Sequence, residues 1–257
     1  MLTRRRLSVA LVWTILWSLL ALLPGCKDRA LESSSGGPAP AAKWPRTTTH
    51  EGVEMIELFP NDADESAPLI VAVHGMGDRP DRWIAEWRKF PAKVHIALPR
   101  AFDPYSGGWS WFPLRDGMTD EELGAAVGAA EARLWKGIAR LAGKRRVIVT
   151  GFSQGGILSF AVAARHPDAV VRAFPVAGSC PGPLLPQNKA KAAPISAFHG
   201  TSDALLDIKW GREAVHAFQE QGNEATLAEY EGVGHTITPE IRKDLWDAIL
   251  KTLANAG

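Results

Sequence analysis

The stretch that decides the fold is residues 147–156, VIVTGFSQGG. Its first four residues are apolar or β-branched and predict a short buried strand, whereas residues 155–165 predict a helix that ends before Pro167. Between strand and helix stands G-x-S-x-G, with Ser153 at its centre. A serine on such a sharp turn projects its hydroxyl from the carboxyl edge of a sheet. We therefore interpret Ser153 as a candidate nucleophile; a glycine-rich turn without chemistry is the alternative.

Apolar runs and helical patterns alternate along the rest of the chain. Residues 69–73, LIVAV, form a continuous apolar run, as expected of a strand covered on both faces. Thr119 and Glu122 form a capping box before a helical spacing of apolar residues that ends at Gly143. Further strands are predicted at residues 53–59, 94–98, 170–175, 195–199 and 225–230, and further helices at residues 81–90, 208–221 and from Thr238-Pro239 onward. This alternation predicts the α/β class, with a mostly parallel central sheet and helices on both faces.

Composition and charge restrict the class of protein. The chain has 257 residues, 46% hydrophobic and 22% charged, which is typical of a globular protein that can bury a full core. The formal net charge of +1 gives no indication of a nucleic-acid partner, and we expect none. The two cysteines, Cys26 and Cys180, form neither a CxxC pair nor a zinc-ligand spacing, which excludes a disulfide framework apart from one bridge. We interpret Cys180 as a buried thiol.

The N-terminal residues have the pattern of an export signal. Arg4-Arg5-Arg6 precede an uncharged apolar stretch, residues 7–23, and Gly25-Cys26 follows. This order predicts a secretory signal over residues 1–25. It resembles the signal of a bacterial lipoprotein, in which Cys26 becomes the lipid-modified first residue. An uncleaved membrane-spanning anchor is the alternative. We therefore expect an exported protein of the bacterial cell envelope, lipid-anchored to a membrane through its N-terminus.

A linker is predicted between this signal and the folded part of the chain. Residues 26–51 are rich in serine, glycine, alanine and proline and contain few large apolar groups. Such a stretch cannot bury enough surface to offset its ordering entropy, so we interpret it as a flexible tether. Residues 52–257 are then predicted to form one catalytic domain.

A second glycine-rich turn follows the apolar run of residues 69–73. It reads His74-Gly75-Met76-Gly77, and the backbone amides of such a turn can point at a ligand. We predict that the N–H groups of Met76 and Gln154 form an oxyanion hole. His74 precedes the serine in the chain, so we interpret it as a structural hydrogen-bonding residue rather than a base. A metal-binding role for His74 with Asp78 is the minor alternative.

Two further residues complete the candidate site. The strand predicted at residues 195–199 is followed by a loop that carries Asp203, and the last strand is followed by a glycine turn that presents His235. Since Ser153, Asp203 and His235 each follow a predicted strand, they should meet at one edge of a parallel sheet. We predict Ser153 as nucleophile, His235 as base and Asp203 as the acid that orients the base. Asp207 is the alternative acid, but its position suits the N-cap of the following helix.

These motifs together resemble one known family. Residues 74–78 (HGMGD), 151–156 (GFSQGG) and 199–203 (HGTSD), with Gly234-His235, are similar to the phospholipase/carboxylesterase family, which includes the acyl-protein thioesterases. The resemblance extends over about residues 52–254. It implies the α/β-hydrolase fold and a serine esterase that cleaves carboxylic esters, or thioesters, of modest size. No cofactor and no metal ion is expected, because nucleophile, base and oxyanion donors come from the chain.

The aromatic segment at residues 99–118 shows no clear periodicity. Trp109 and Trp111 are predicted to line the acyl-binding pocket, and packing over the sheet edge is the equally weighted alternative. The expected partner is a small-molecule or lipid ester. Two other functions remain open at this point. An acyltransferase or a peptidase would use the same three residues, and a binding protein on a hydrolase scaffold would use none of them.

Overall fold

Two continuous stretches of the chain carry the structure. A computed structural model describes residues 44–60 and 66–256. The predicted signal over residues 1–25, the predicted lipidation site Cys26 and most of the predicted tether lie outside the described residues. Within the two described stretches, no helix is both long and apolar enough to cross a membrane.

An eight-stranded sheet organises the domain, with a separate two-stranded hairpin. The strands are β1 (Arg46–His50), β2 (Val53–Leu58), β3 (Leu69–Val73), β4 (Ile96–Pro99), β5 (Asp103–Tyr105), β6 (Gly108–Ser110), β7 (Val147–Phe152), β8 (Val170–Val176), β9 (Ile195–Gly200) and β10 (Ala225–Tyr230). The large sheet has the order β1-β2-β4-β3-β7-β8-β9-β10, and β5 pairs with β6. Only the β1–β2 and β2–β4 pairs of the large sheet are antiparallel. The prediction of a mostly parallel α/β sheet is confirmed.

Helices cover both faces of this sheet. They are α1 (Ile84–Trp87), α2 (Asp120–Ala142), α3 (Gln154–Arg165), α4 (Ile208–Glu220) and α5 (Pro239–Ala254), and α1 follows a 3₁₀ turn at Pro80–Trp83. Alternate residues of one strand pack into two different hydrophobic clusters: Val71 joins the cluster with α2, α3 and α4, and Ile70 joins the one with α1 and α5. Burial on both faces explains why the central strands read as continuous apolar runs.

The folded domain begins earlier than the sequence analysis predicts. β1 (Arg46–His50) lies inside the segment interpreted as tether, so the predicted boundary at residue 52 is corrected to residue 46 or before. Glu51 and Gly52 both have positive φ, +49° and +76°, and they join β1 to β2 as a two-residue hairpin. β1 carries three β-branched threonines but no large apolar side chain, and its stability comes from pairing with β2.

A buried carboxylate connects β1 and β2 at this edge of the sheet through hydrogen bonds. Glu57 of β2 is fully buried, and it accepts hydrogen bonds from Thr48 Oγ1 at 2.5 Å and from Arg46 Nη2 at 3.2 Å. His95 Nε2 lies 2.7 Å from its second oxygen. Burial by itself raises the pKa of Glu57, but the hydrogen bonds from His95, Thr48 and Arg46 outweigh burial and lower the pKa to about 2. The charged form of Glu57 is therefore part of the folded structure.

The long helix α2 approaches the same strands closely. A Cβ atom on Gly137 would lie 2.7 Å from Val53 Cβ and 2.9 Å from His50 O, so that the helix backbone sits directly on the β1–β2 hairpin. Gly128 lies about two and a half turns earlier in the helix. A Cβ atom there would meet only the ends of two side chains, Arg165 Nη1 at 3.3 Å and Leu184 Cδ2 at 3.5 Å. The capping box predicted at Thr119 and Glu122 is confirmed, with both reciprocal hydrogen bonds formed.

Gly137 and Gly128 of α2 should respond to substitution by alanine in opposite ways. We expect Gly137→Ala to lower the free energy of unfolding by about 1–3 kcal/mol, because its methyl group meets backbone and a β-branched side chain that cannot move aside. Gly128→Ala is the matched control and should raise the free energy of unfolding by about 0.5–1 kcal/mol. Alanine favours the helix more than glycine does, and the flexible Arg165 side chain can shift away from the added methyl group. Denaturant unfolding of both variants measures the difference, and a Gly137→Ala protein as stable as Gly128→Ala would contradict the packing described.

The ionisation of Glu57 should be visible in the pH dependence of stability. The pKa of Glu57 is lower in the folded protein, about 2 against 4.5, so its contribution is complete above pH 4.5 and is lost as the pH falls toward 2. The difference corresponds to roughly 3 kcal/mol of unfolding free energy. We expect Glu57→Gln to be less stable at pH 7 and to lose stability less steeply over that acid range. Chemical denaturation of both proteins across this pH range measures the difference.

Candidate active site

The turn that carries Ser153 is held in an unusual conformation. Ser153 lies between β7 and α3 with φ +57° and ψ −116°, a region that non-glycine residues rarely adopt. A Cβ atom on Gly151 would lie 2.3 Å from Gly155 O, and one on Gly155 would lie 2.0 Å from Val73 O. Both positions therefore require glycine. Such local strain is a property of functional sites, where the surrounding structure holds a residue in a costly conformation.

The structure brings together the three residues that the sequence predicts for the site. His235 Nε2 lies 2.9 Å from Ser153 Oγ, and His235 Nδ1 lies 2.7 Å from Asp203 Oδ2. Asp203 is buried, whereas Ser153 and His235 are half-buried. Because a carboxylate only accepts hydrogen bonds, Nδ1 carries the proton and Nε2 is left to accept the serine hydroxyl proton.

The two neighbouring acids occupy the separate positions that the sequence analysis assigns to them. Asp203 Oδ1 accepts the backbone N–H groups of Leu205 at 3.0 Å and Leu206 at 2.8 Å, which closes the loop after β9 around the carboxylate. Asp207 is the N-cap of α4, where its side chain accepts the N–H of Lys209 at 2.9 Å. Asp203 thus faces the histidine, and Asp207 stabilises a helix end.

His199 is a member of this cluster that sequence reasoning did not single out. It is fully buried at the end of β9, and its Nε2 lies 2.8 Å from Leu206 O and 3.3 Å from Asp203 Oδ2. Burial raises the pKa of Asp203, but hydrogen bonds from His199, from His235 and from the Leu206 N–H group together hold that pKa well below its usual range. The carboxylate is therefore charged throughout the neutral range. The sequence signal that could have identified His199 is its position directly before a glycine at the end of a predicted buried strand.

The predicted oxyanion donors lie on the two segments that contact Ser153. A Cβ atom on Gly75 would lie 3.3 Å from Ser153 Cβ, so the turn that carries Met76 passes directly beside the serine. Gln154 is the first residue of α3, where backbone N–H groups have no acceptor within the helix and the helix dipole favours negative charge. The backbone positions of Met76 and Gln154 are thus compatible with binding an oxyanion.

The side chain of Gln154 anchors the aromatic segment. Its Oε1 accepts the N–H of Trp111 at 2.9 Å and the hydroxyl of Ser110 at 3.2 Å, and its Nε2 donates to Phe112 O at 2.9 Å. Three hydrogen bonds on one buried amide engage both its oxygen and its nitrogen and fix the orientation of the residue. The start of α3 and the aromatic segment are consequently held as one unit.

The hairpin of the aromatic segment in turn supports the Met76 turn. Gly77 N–H donates to Trp109 O at 2.8 Å, and Trp109 N–H donates to Asp78 O at 3.0 Å. A Cβ atom on Gly108 would lie 2.2 Å from Gly77 O, so the two backbones touch. The sequence analysis did not predict this hairpin, because strands of three residues show no periodicity.

Trp111 and Trp109 differ in their surroundings. Trp111 is 2% exposed, packs against Phe102 and donates its indole N–H to His74 O at 2.8 Å. Its ring is packed within the fold and its N–H group is already hydrogen-bonded there, so the structure favours the packing alternative for Trp111. Trp109 is half-buried and has the Arg100 guanidinium 4.2 Å above its ring.

His74 has the structural role that the sequence analysis favours. It is buried, its Nδ1 lies 2.7 Å from Gly75 O, and its Nε2 accepts the N–H of Ala101 at 3.3 Å. Burial lowers the pKa of His74, which favours the neutral ring. Among the described residues, no group of three or more histidines, cysteines or acids could hold a metal ion.

The chain is similar to several known proteins. The family described as Phospholipase/Carboxylesterase matches residues 56–253. The chain is 24% identical over 215 residues to acyl-protein thioesterase 1 of Kluyveromyces lactis, covering 74% of this chain and 94% of the relative. It is 27% identical over 183 residues to esterase YpfH of Escherichia coli K12, covering 66% and 76%. The solved structure of esterase PE8 has a TM-score of 0.69 and 23% identity, covering 78% of this chain and 99% of that one.

The two acids should separate in a mutational test. We expect Asp203→Asn to lower kcat for ester hydrolysis by about 10⁴-fold, since the amide no longer holds the required tautomer of His235. Asp207→Asn is the matched control and should change kcat less than about threefold, while costing about 1 kcal/mol of stability or less. Steady-state kinetics with a p-nitrophenyl ester, together with thermal unfolding, measure both effects. Equal losses of kcat in the two variants would reject the assignment of Asp203.

Proposed function

The chain belongs to the phospholipase/carboxylesterase family of α/β-hydrolases and is a carboxylic ester hydrolase, and we propose that it cleaves its substrates through an acyl-enzyme on Ser153. The observation that carries this proposal is the chain of two hydrogen bonds, 2.9 Å from Ser153 to His235 and 2.7 Å from His235 to Asp203. It connects a strained, half-buried serine to a buried carboxylate. That arrangement has the geometry of a nucleophile, a base and an orienting acid.

The first half of the reaction forms the acyl-enzyme. Ser153 Oγ attacks the carbonyl carbon of the ester while its proton moves to His235 Nε2. The carbon–oxygen bond to the alcohol then breaks, and His235 Nε2 returns the proton to the leaving oxygen. In the second half, His235 Nε2 takes a proton from water, whose oxygen attacks the acyl carbon. The bond from that carbon to Ser153 Oγ then breaks, His235 returns the proton to Oγ, and the carboxylic acid is released.

The carboxylate of Asp203 stabilises the histidinium that forms in both halves. Its two oxygens are divided between partners: Oδ1 accepts backbone N–H groups, and Oδ2 faces His235 and His199. The acid is therefore fixed in place before the reaction begins, and no reorganisation is needed when His235 becomes charged.

The backbone N–H groups of Met76 and Gln154 are the proposed donors to the oxyanion. One such donor is worth about 2.7–4 kcal/mol of transition-state stabilisation. The anchoring of the Gln154 side chain supports this role, because it fixes the start of α3 beside the nucleophile. The acyl pocket is proposed to include Trp109, which lies on the hairpin next to the Met76 turn.

Which acceptor receives the acyl group, and which acyl group is preferred, are two further points. An acyltransferase or a peptidase would form the same acyl-enzyme, and it would differ only in the acceptor or the leaving group. The name acyl-protein thioesterase carried by a relative makes thioesters reasonable substrates. p-Nitrophenyl esters of graded acyl length and the matching thioesters would define the preferred acyl group. A non-catalytic binding protein is disfavoured, since serine, histidine and acid are all present and in contact.

Location at the cell envelope is also part of the proposal. It is supported by Arg4-Arg5-Arg6, the apolar stretch and Cys26 in the sequence. Two or more acyl chains on one cysteine would give stable attachment to a membrane. Small-molecule or lipid esters would then be met at that surface.

Removal of the nucleophile is the direct test. We expect Ser153→Ala to lower kcat by at least about 10⁴-fold, leaving only the residual catalysis of the oxyanion hole and binding. A fluorophosphonate should add one adduct to the wild-type protein and none to Ser153→Ala, as measured by intact mass. Ser196→Ala, a half-buried serine of β9, is the matched control and should keep activity and labelling. Wild-type turnover in a folded Ser153→Ala protein would overturn the mechanism.

A further inference from the structure

A cleft of about 400 Å³ opens beside the site, and the mechanism above does not use it. It lies between α1, α5 and the carboxyl ends of β7 and β8, on the face of the sheet opposite α3. Its walls are mainly apolar and aromatic, formed by Trp83, Trp87, Phe152, Ile237, Leu245 and Trp246. Neither Trp109 nor Trp111 belongs to its lining, so the residue proposed for the acyl pocket lies outside this cleft.

The cleft begins at the proposed base. His235 and the neighbouring Thr236 are part of its lining. Phe152, which directly precedes Ser153, packs against the His235 ring with centroids 4.7 Å apart. His235 thus contacts Ser153 Oγ through its Nε2 at 2.9 Å, and the same residue borders the cleft.

The proton transfer from His235 determines which part of the ester, acyl or alcohol, lies next to the cleft. His235 Nε2 must deliver its proton to the oxygen of the leaving alcohol, so that oxygen comes within hydrogen-bond distance of the ring. The carbon substituent on that oxygen then extends along His235, where the cleft begins. We propose that the cleft binds the alcohol part of the substrate, and that this alcohol is uncharged and carries an aromatic or cyclic group. The inference rests on the proposed function.

The charges at the rim support an uncharged occupant. Arg242 Nε pairs with Glu86 Oε1 at 2.9 Å, and Arg82 Nη1 lies 3.4 Å from Asp78 Oδ1. The indole N–H of Trp83 donates to Asp78 Oδ2 at 2.7 Å. Two acids and two bases pair with one another across the rim, so its side chains leave no net charge to hold an ion.

The size and the walls favour a ring. Sites for small molecules span about 300–1,000 Å³, and this cleft lies toward the lower end of that range. Trp87 and Trp246 pack with ring centroids 6.3 Å apart, and Trp83 lines the cleft beside them. Aromatic walls make offset or edge contacts with a ring that a flexible chain cannot match.

The test holds the acid constant and varies the alcohol. Methyl, hexyl, cyclohexylmethyl, benzyl and 2-naphthylmethyl butyrates are hydrolysed by the full chain, and kcat/KM is measured for each. All are esters of primary alcohols. Burial of one CH₂ group corresponds to a factor of about four, so we expect benzyl butyrate to exceed methyl butyrate by at least tenfold and hexyl butyrate to fall below benzyl.

Variants of Ile237 change the size of the cleft in opposite directions. Ile237→Trp should fill it and lower the benzyl-to-methyl ratio at least fivefold. Ile237→Ala should enlarge it and shift the preference toward the 2-naphthylmethyl ester, and it tests the same wall if the larger residue does not fold. Leu253→Trp, at a half-buried leucine of α5 outside the lining, is the matched control and should leave the ratio within twofold.

The outcomes separate this inference from the proposed function. If all esters are hydrolysed at similar kcat/KM and Ser153 is labelled by the fluorophosphonate, the inference is wrong and the esterase function stands. If Ile237→Trp alters the profile over methyl esters of different acids, and not the profile over alcohols, the cleft holds the acyl chain and the inference is again wrong. If no ester is hydrolysed and no label is incorporated, both are wrong.

Discussion

The contact between the nucleophile turn and strand β3 is the constraint on which the rest of the site depends. Gly155 at the start of α3 lies so close to Val73 that a single methyl group would reach within 2.0 Å of the carbonyl oxygen. This approach forces the chain through the positive φ of Ser153 and directs its hydroxyl toward His235. It also brings the turn after β3 against the serine, so that nucleophile and candidate oxyanion donors are positioned by one backbone contact.

Within residues 44–60 and 66–256, three carboxylates are buried, and each has a histidine beside it. Glu57 contacts His95, Glu131 contacts His166 at 2.6 Å, and Asp203 contacts both His199 and His235. An acid–histidine pair is therefore also a structural device here, used to keep a buried charge satisfied. What distinguishes Asp203 is the third group, because only its histidine continues to a half-buried serine in a strained turn. The catalytic proposal depends on that continuation and not on the pair alone.

Much of the architecture could be predicted because it is local. Ser153, Asp203 and His235 each follow a strand whose apolar run is visible in the sequence, and parallel strands end at the same edge. The contacts that were missed depend on distant segments. β1 has no large apolar side chain and is stabilised by pairing with β2, and the hydrogen bonds of His199 form only when the loop after β9 folds back over it. The packing of Trp111 could not be predicted for the same reason, since its partner His74 lies 37 positions away.

Gln154 contacts the rest of the fold through both its backbone and its side chain, and these contacts restrict which sequences the aromatic segment can have. Its backbone begins the helix behind the nucleophile, and its side chain holds the aromatic segment through three hydrogen bonds. The aromatic segment is therefore not an independent module. A loop transplanted from a relative into residues 99–118 would have to present the same three partners to this glutamine: a hydroxyl group, a backbone N–H and a backbone carbonyl. Recombination between family members should succeed where loop and glutamine are inherited together and fail where they are separated.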